Sequence, residues 1–97
     1  MAIDDKTIEE FLKSEVKIND YNPMLKALWY DGNGNWVKAH DQVDSLEGKE
    51  AARIHAYLHR KEGDQWNADY WYRRAGADRP EATLEEEWAM LLLQYLL

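Results

Sequence analysis

The chain has no cysteine. Disulfide bridges, thiolate metal clusters and a thiol nucleophile are therefore excluded, and a reducing compartment is compatible with the composition. Serine is scarce: Ser14 and Ser45 are the whole supply, and neither sits in a nucleophile-elbow context. The glycine in Lys61-Glu62-Gly63-Asp64 lacks the Gly-Lys-Ser spacing of a phosphate loop. Long apolar runs are missing too. The opening MAIDDKTIEE is acidic and has no secretory pattern, and the tail WAMLLLQYLL is shorter than the roughly 20 residues a bilayer span needs. Positive charge is in deficit, with 12 Lys and Arg against 19 Asp and Glu, a formal net charge of −7. Such a chain repels a phosphate backbone at long range, so no nucleic-acid partner, no membrane association and a cytoplasmic location are expected.

What is present is aromatic. Five Trp and six Tyr accompany a single Phe in 97 residues. That length is one domain's worth of chain, and large rings bring the apolar area that so small a core needs.

Hydrophobic spacing predicts an all-α fold of six helices and no strand. The first covers about residues 5–16, with Ile8, Phe11 and Leu12 as its stripe and Asp4 and Asp5 at its start. Asn22-Pro23 opens the second, whose inner face is Leu25, Leu28 and Trp29, and DGNGN ends it, with Gly32 and Gly34 as positive-φ positions. The third runs from Trp36 to about Leu46, with Val37, Ala39, His40 and Val43 inward and Gly48 as its stop. The fourth covers about residues 49–62, carrying Ala51, Ile54, Tyr57 and Leu58, and stops at Gly63. Asp64 caps the fifth, which ends at Gly76. The last starts at a capping box, Thr83 with Glu86, and runs through Trp88, Leu91, Leu92 and Tyr95 to the C-terminus.

A weak internal repeat links the middle of the chain. LKALWYDGNGNWVKAH and IHAYLHRKEGDQWNAD align at a constant offset of 29, pairing Ala27 with Ala56, Gly34 with Gly63 and Ala39 with Ala68. Each unit reads as helix, glycine turn, helix, so two stacked antiparallel hairpins with terminal capping helices are expected. The second unit resembles a tetratricopeptide-type repeat, most of all its Sel-one-like variant. Ala68, Trp71, Tyr72, Arg73, Arg74, Ala75 and Gly76 follow that variant's A-x-x-WY-[RK]-[RK]-A pattern. The glycine usual in the first helix of that repeat is absent, and the first unit lacks the WY pair. Residues 55–76 are also similar to a group of small bacterial proteins carrying HAYLHRKEGD followed by NA-x-YWYRRAG. The repeat resemblance implies a scaffold for partners, not catalysis.

Four features carry candidate chemistry. On the fifth helix, Ala68, Trp71, Tyr72 and Ala75 share one face, a packed seam, while Trp66, Tyr70, Arg73 and Arg74 lie on the other. Arginine beside tyrosine suits recognition of carboxylates or phosphates. In HAYLH, His55 and His59 stand one turn apart and could clamp a metal ion with His40, Asp41 and Asp44 nearby; the bland alternative satisfies one ring internally and exposes the other. No Glu follows the first histidine, so the zinc-protease pattern is missing. DGNGN resembles the start of a calcium loop but has Trp36 and Gln42 where Gly and Glu are required, so it reads as an interhelix turn. The apolar tail, finally, suits either a wedged helix or a homodimer seam.

The leading expectation is thus a protein- or peptide-binding scaffold module, without cofactor or metal, whose contact residues are Tyr30, His59, Tyr70 and Arg74. The alternative is a metal- or small-molecule-binding protein, a hydrolase among the options, built on His40, His55 and His59.

Overall fold

A computed structural model describes residues 3–96, with the side chain of Val16 left aside. It is all-helical: α1 (Asp5–Leu12), α2 (Pro23–Gly32), α3 (Trp36–Val43), α4 (Lys49–Lys61), α5 (Gln65–Ala75) and α6 (Leu84–Leu96), with a 3-10 segment over Glu15–Asp20. The expected run of the last helix to the C-terminus falls, at Leu97, outside the described residues. None of the described helices is long and apolar enough to cross a membrane.

Helix starts follow their side-chain caps. Asp4 accepts from the amide of Thr7, Asn22 from Leu25, Asn35 from Lys38 and Asp64 from Asn67, each satisfying an amide that has no intrahelical partner. At the last helix the Thr83 hydroxyl accepts from the Glu86 amide while the Glu86 carboxylate accepts from the Thr83 amide, a reciprocal capping box.

The first helix is shorter than the spacing predicts. The Ser14 hydroxyl donates to the Phe11 carbonyl and pairs with the Tyr21 hydroxyl. That local bonding competes with the backbone ladder, and the chain continues as the 3-10 segment. The third helix ends at Val43 rather than near Leu46, and Gly48, with φ 104°, precedes α4 instead of closing α3. Val37 is a further correction, being 65% exposed. Trp36, Ala39, His40 and Val43 form the inner stripe, and Val37 falls off that stripe. Gly32 is also not a positive-φ turn residue: it lies within α2, where an added Cβ would meet Leu12 Cδ2 at 2.6 Å and Trp88 Cζ2 at 2.9 Å. Its role is close approach.

One cluster dominates the interior. Phe11, Leu28, Val43, Ile54, Leu58, Leu91 and Leu92 are among its buried members, and Trp88 donates from Nε1 to the Leu28 carbonyl at 3.0 Å. A smaller cluster joins Ala56, Ala68 and Tyr72, with Trp71 packed on it. Ala39 and Ala68 are fully buried. Consecutive helices pack on each other, α2 with α3 and α4 with α5, and α3 also lies against α4. That last contact positions the site.

Candidate metal centre

Three histidines converge where α3 meets α4. His55 and His59, one helical turn apart, present nearly parallel rings with centroids 4.8 Å apart. His40 arrives from α3 edge-on to both, at 4.6 Å from His55 and 5.3 Å from His59. Its Nε2 lies 2.9 Å from Nε2 of His55. One ligand nitrogen from each ring can be chosen so that all three lie within 4.8 Å of one another. Tetrahedral zinc with nitrogen ligands at 2.0–2.1 Å needs nitrogen pairs about 3.3 Å apart, so the three rings would draw together around an ion.

The rings are held in place by aromatic neighbours. Trp36 begins α3, and its Nε1 donates to the Leu58 carbonyl at 2.8 Å, which pins α3 to α4 between the two histidines of HAYLH. The same indole stacks on His40 at 4.9 Å and 11°. On the other side Trp71 of α5 stacks on His55 at 4.0 Å and 17°. Side chains fixed by packing lose little further entropy when they bind an ion.

Carboxylates complete the surround. Asp44 Oδ1 lies 3.7 Å from His40 Nε2 and 4.0 Å from His55 Nε2, within reach of a metal's fourth position. Asp41, the other sequence candidate, stays exposed. Glu62 Oε1 sits 2.6 Å from Nδ1 of His59. That contact fixes the ring's tautomer and leaves Nε2 for a metal, the carboxylate–histidine arrangement that orients metal ligands. Asp64, near the same histidine, is engaged in capping α5.

His55 is 3% exposed. Burial first, then the neighbouring His40 and His59, push its pKa down to about 4, against a smaller opposing pull from Asp44. Its ring is therefore neutral at pH 7, the form that ligates metals.

The expected contact residues are dispersed differently. His59 belongs to the histidine cluster. Tyr70 and Arg74 pair on α5, the guanidinium donating to the Tyr70 hydroxyl at 3.0 Å and lying over the Trp71 ring. Tyr30 belongs elsewhere, edge-on to Trp29 and beneath Lys38. Trp66, which the spacing left open between a packed and an exposed position, is 74% exposed and stacks on Tyr70. Trp71 lies half-buried in the expected seam, yet its face goes to His55. Half of the bland alternative for the HAYLH histidines is met, His59 lying 2.6 Å from the Glu62 carboxylate, whereas His55 is buried rather than exposed and meets His40. Asp31 of DGNGN is buried, taking the Tyr57 hydroxyl at 2.7 Å and the Lys61 ammonium at 2.8 Å, and it braces α2 against α4.

Sequence reasoning missed the clamping tryptophans and the buried Glu87. Trp36 stands four residues before His40, a spacing that stacks side chains on a helix and was the available signal. Protein-family models, curated proteins and solved structures were all compared with the chain, and none matches.

Proposed function

We propose that the protein binds a divalent first-row metal ion, zinc foremost, through His40, His55 and His59. The observation that carries this reading is the convergence of three imidazoles from two helices, each ring fixed by an aromatic or carboxylate neighbour. Three nitrogen ligands with a fourth position facing Asp44 fit the donor set of zinc, and imidazole also suits nickel and copper. A three-histidine zinc site with one exchangeable position can polarise a bound oxygen ligand, so the hydrolase option attaches to this site and not to the serines. The cysteine-free chain suits a cytoplasmic setting.

Metal analysis of the full chain, purified without chelator, tests this. One zinc per chain is expected, with a thermal transition raised by added zinc; at 100-fold over Kd the gain is about 2.7 kcal/mol. His55→Ala and His59→Ala should each abolish both effects. Absence of stoichiometric metal, together with no thermal shift from zinc, cobalt, nickel or copper, would remove the proposal.

A second reading, a peptide-docking scaffold surface at Trp66, Tyr70 and Arg74, is favoured by the exposure of Trp66. Under it, Tyr70→Ala with Arg74→Ala leaves folding and zinc binding intact while abolishing partner capture. Unfolding of that variant would assign both side chains to the packed interior instead.

A further inference from the structure

Beside the three histidines lies a cavity of about 310 Å³, lined by Asp44, Leu46, Lys49, Ala52, Trp71 and Arg74 among others. Two of these walls are shared with the metal centre. Asp44 faces His40 and His55, and Trp71 stacks on His55. No histidine lines the cavity itself, so a molecule in it would communicate with the metal centre through Asp44 and Trp71.

The charges at the rim are unequal in their engagement. Arg74 bonds the Tyr70 hydroxyl through Nη1 and lies 5.4 Å from the Trp71 centroid. Neither Arg74 nor Lys49 has a carboxylate partner among the described residues, whereas Arg53, Arg60, Lys61 and Arg79 all do. A guanidinium keeps five donors in a planar fork, and one hydroxyl acceptor leaves most of them for a ligand. Asp44 and Glu47 also line the cavity, so its rim carries two cations and two anions. That net-neutral rim disfavours a phosphate dianion, and any preference for a carboxylate comes from the unused donors of the Arg74 fork. Ala52 and Trp71 give the lining its apolar part.

We infer that this cavity binds a small organic carboxylate, its anionic end on Arg74 and Lys49 and its body against Ala52 and the edge of Trp71, with Asp44 shared between this cavity and the metal centre. The inference rests on the metal reading, and the two can fail separately. Cobalt replaces zinc in nitrogen sites and its visible bands report coordination, so the probe is the cobalt-loaded full chain titrated with acetate, benzoate or inorganic phosphate. Benzoate and acetate should shift the bands saturably. Arg74→Gln should weaken benzoate roughly tenfold or more, as loss of a charge-assisted hydrogen bond does, and leave cobalt affinity unchanged. Arg74→Lys should recover part of the loss. Cobalt bands that ignore all three anions, or an Arg74→Gln response equal to the parent's, would overturn the carboxylate site and leave the metal reading standing. Phosphate binding tighter than benzoate would overturn the carboxylate assignment. Failure of the chain to take up cobalt would sink both readings.

Discussion

Helix α4 carries residues of two polar clusters, and they are built on opposite principles. One surrounds Glu87 of α6, which is fully buried. Arg53 and Arg60 each place Nη1 2.6 Å from its carboxylate, and the Tyr72 hydroxyl donates at 2.5 Å. Two cations and a hydroxyl converge on one anion, so every group has its complement. The other cluster, on residues 55 and 59 of the same helix, converges three imidazoles on one another. His40 and His55 are hydrogen-bonded to each other through their Nε2 atoms, and loss of the proton between them would free nitrogen lone pairs for a cation. A closed cluster ties α4, α5 and α6 together. The histidine cluster has no such set of opposite charges at its centre, and on the proposed reading a cation would complete it.

The sharpest way to break that comparison is to remove Glu87. Glu87→Ala leaves two guanidinium groups facing each other around a buried hydroxyl. Breaking a buried pair from one side costs about 3–5 kcal/mol, which in a domain of this size lowers Tm by roughly 12 °C or more. Denaturant melts of the two proteins measure it. A loss below about 1 kcal/mol would place the cluster with exposed ion pairs and dissolve the contrast.

A smaller effect comes from acid acting on the histidines. In the unfolded chain His55 takes up a proton near its ordinary value of 6.5, whereas in the folded protein it stays neutral down to about 4. Between those values the unfolded state binds more protons, so stability rises with pH across the window and falls as pH drops through it. The slope from this one group is at most about 1.4 kcal/mol per pH unit. His55→Gln should flatten that part of the metal-free protein's stability profile between pH 4 and 6.5 and leave stability near pH 8 little altered in its pH dependence. Zinc should steepen the parent's loss on acidification, because protons and metal compete for the same nitrogens. An identical profile for parent and variant would mean that His55 is not held neutral by its surroundings.

Much of the fold is legible along the chain because helix ends are local chemistry. Asn22-Pro23, Asn35, Asp64 and the Thr83–Glu86 pair each act within three residues of themselves, and Gly76 takes the left-handed conformation at the end of α5. Gly34 and Gly63, 29 positions apart, make the same turn, with φ of 84° and 89°. In both turns the next residue's amide bonds back to the equivalent carbonyl, of Tyr30 and of His59. The site was less legible because it depends on tertiary register. The spacing in HAYLH put two rings on one face, but the packing of α3 on α4, with the bond from Trp36 to Leu58, brings His40 opposite them. Glu87 hid inside a run of three glutamates. Its stripe position, one turn before Leu91, marked it as inward, but its cations lie 27 and 34 residues away in sequence.

The smallest expected effect asks whether the open cluster is completed by Asp44. Its side chain is 60% exposed, and its nearest contacts to the histidines, 3.7 and 4.0 Å, are too long for strong hydrogen bonds. Asp44→Asn should therefore change the stability of the metal-free protein by no more than about 0.5 kcal/mol, as exposed substitutions do. Zinc affinity should respond far more. If Asp44 moves in to take the fourth position or to orient its occupant, affinity falls by about 10–100-fold. Paired denaturation and zinc titrations on the same variant separate the two quantities. A stability loss rivalling that of Glu87→Ala would make Asp44 a structural partner of the histidines. The cluster would then be closed like the one around Glu87. Unchanged zinc affinity would instead leave three nitrogens as the full protein donor set, with the fourth position open to whatever enters past Arg74.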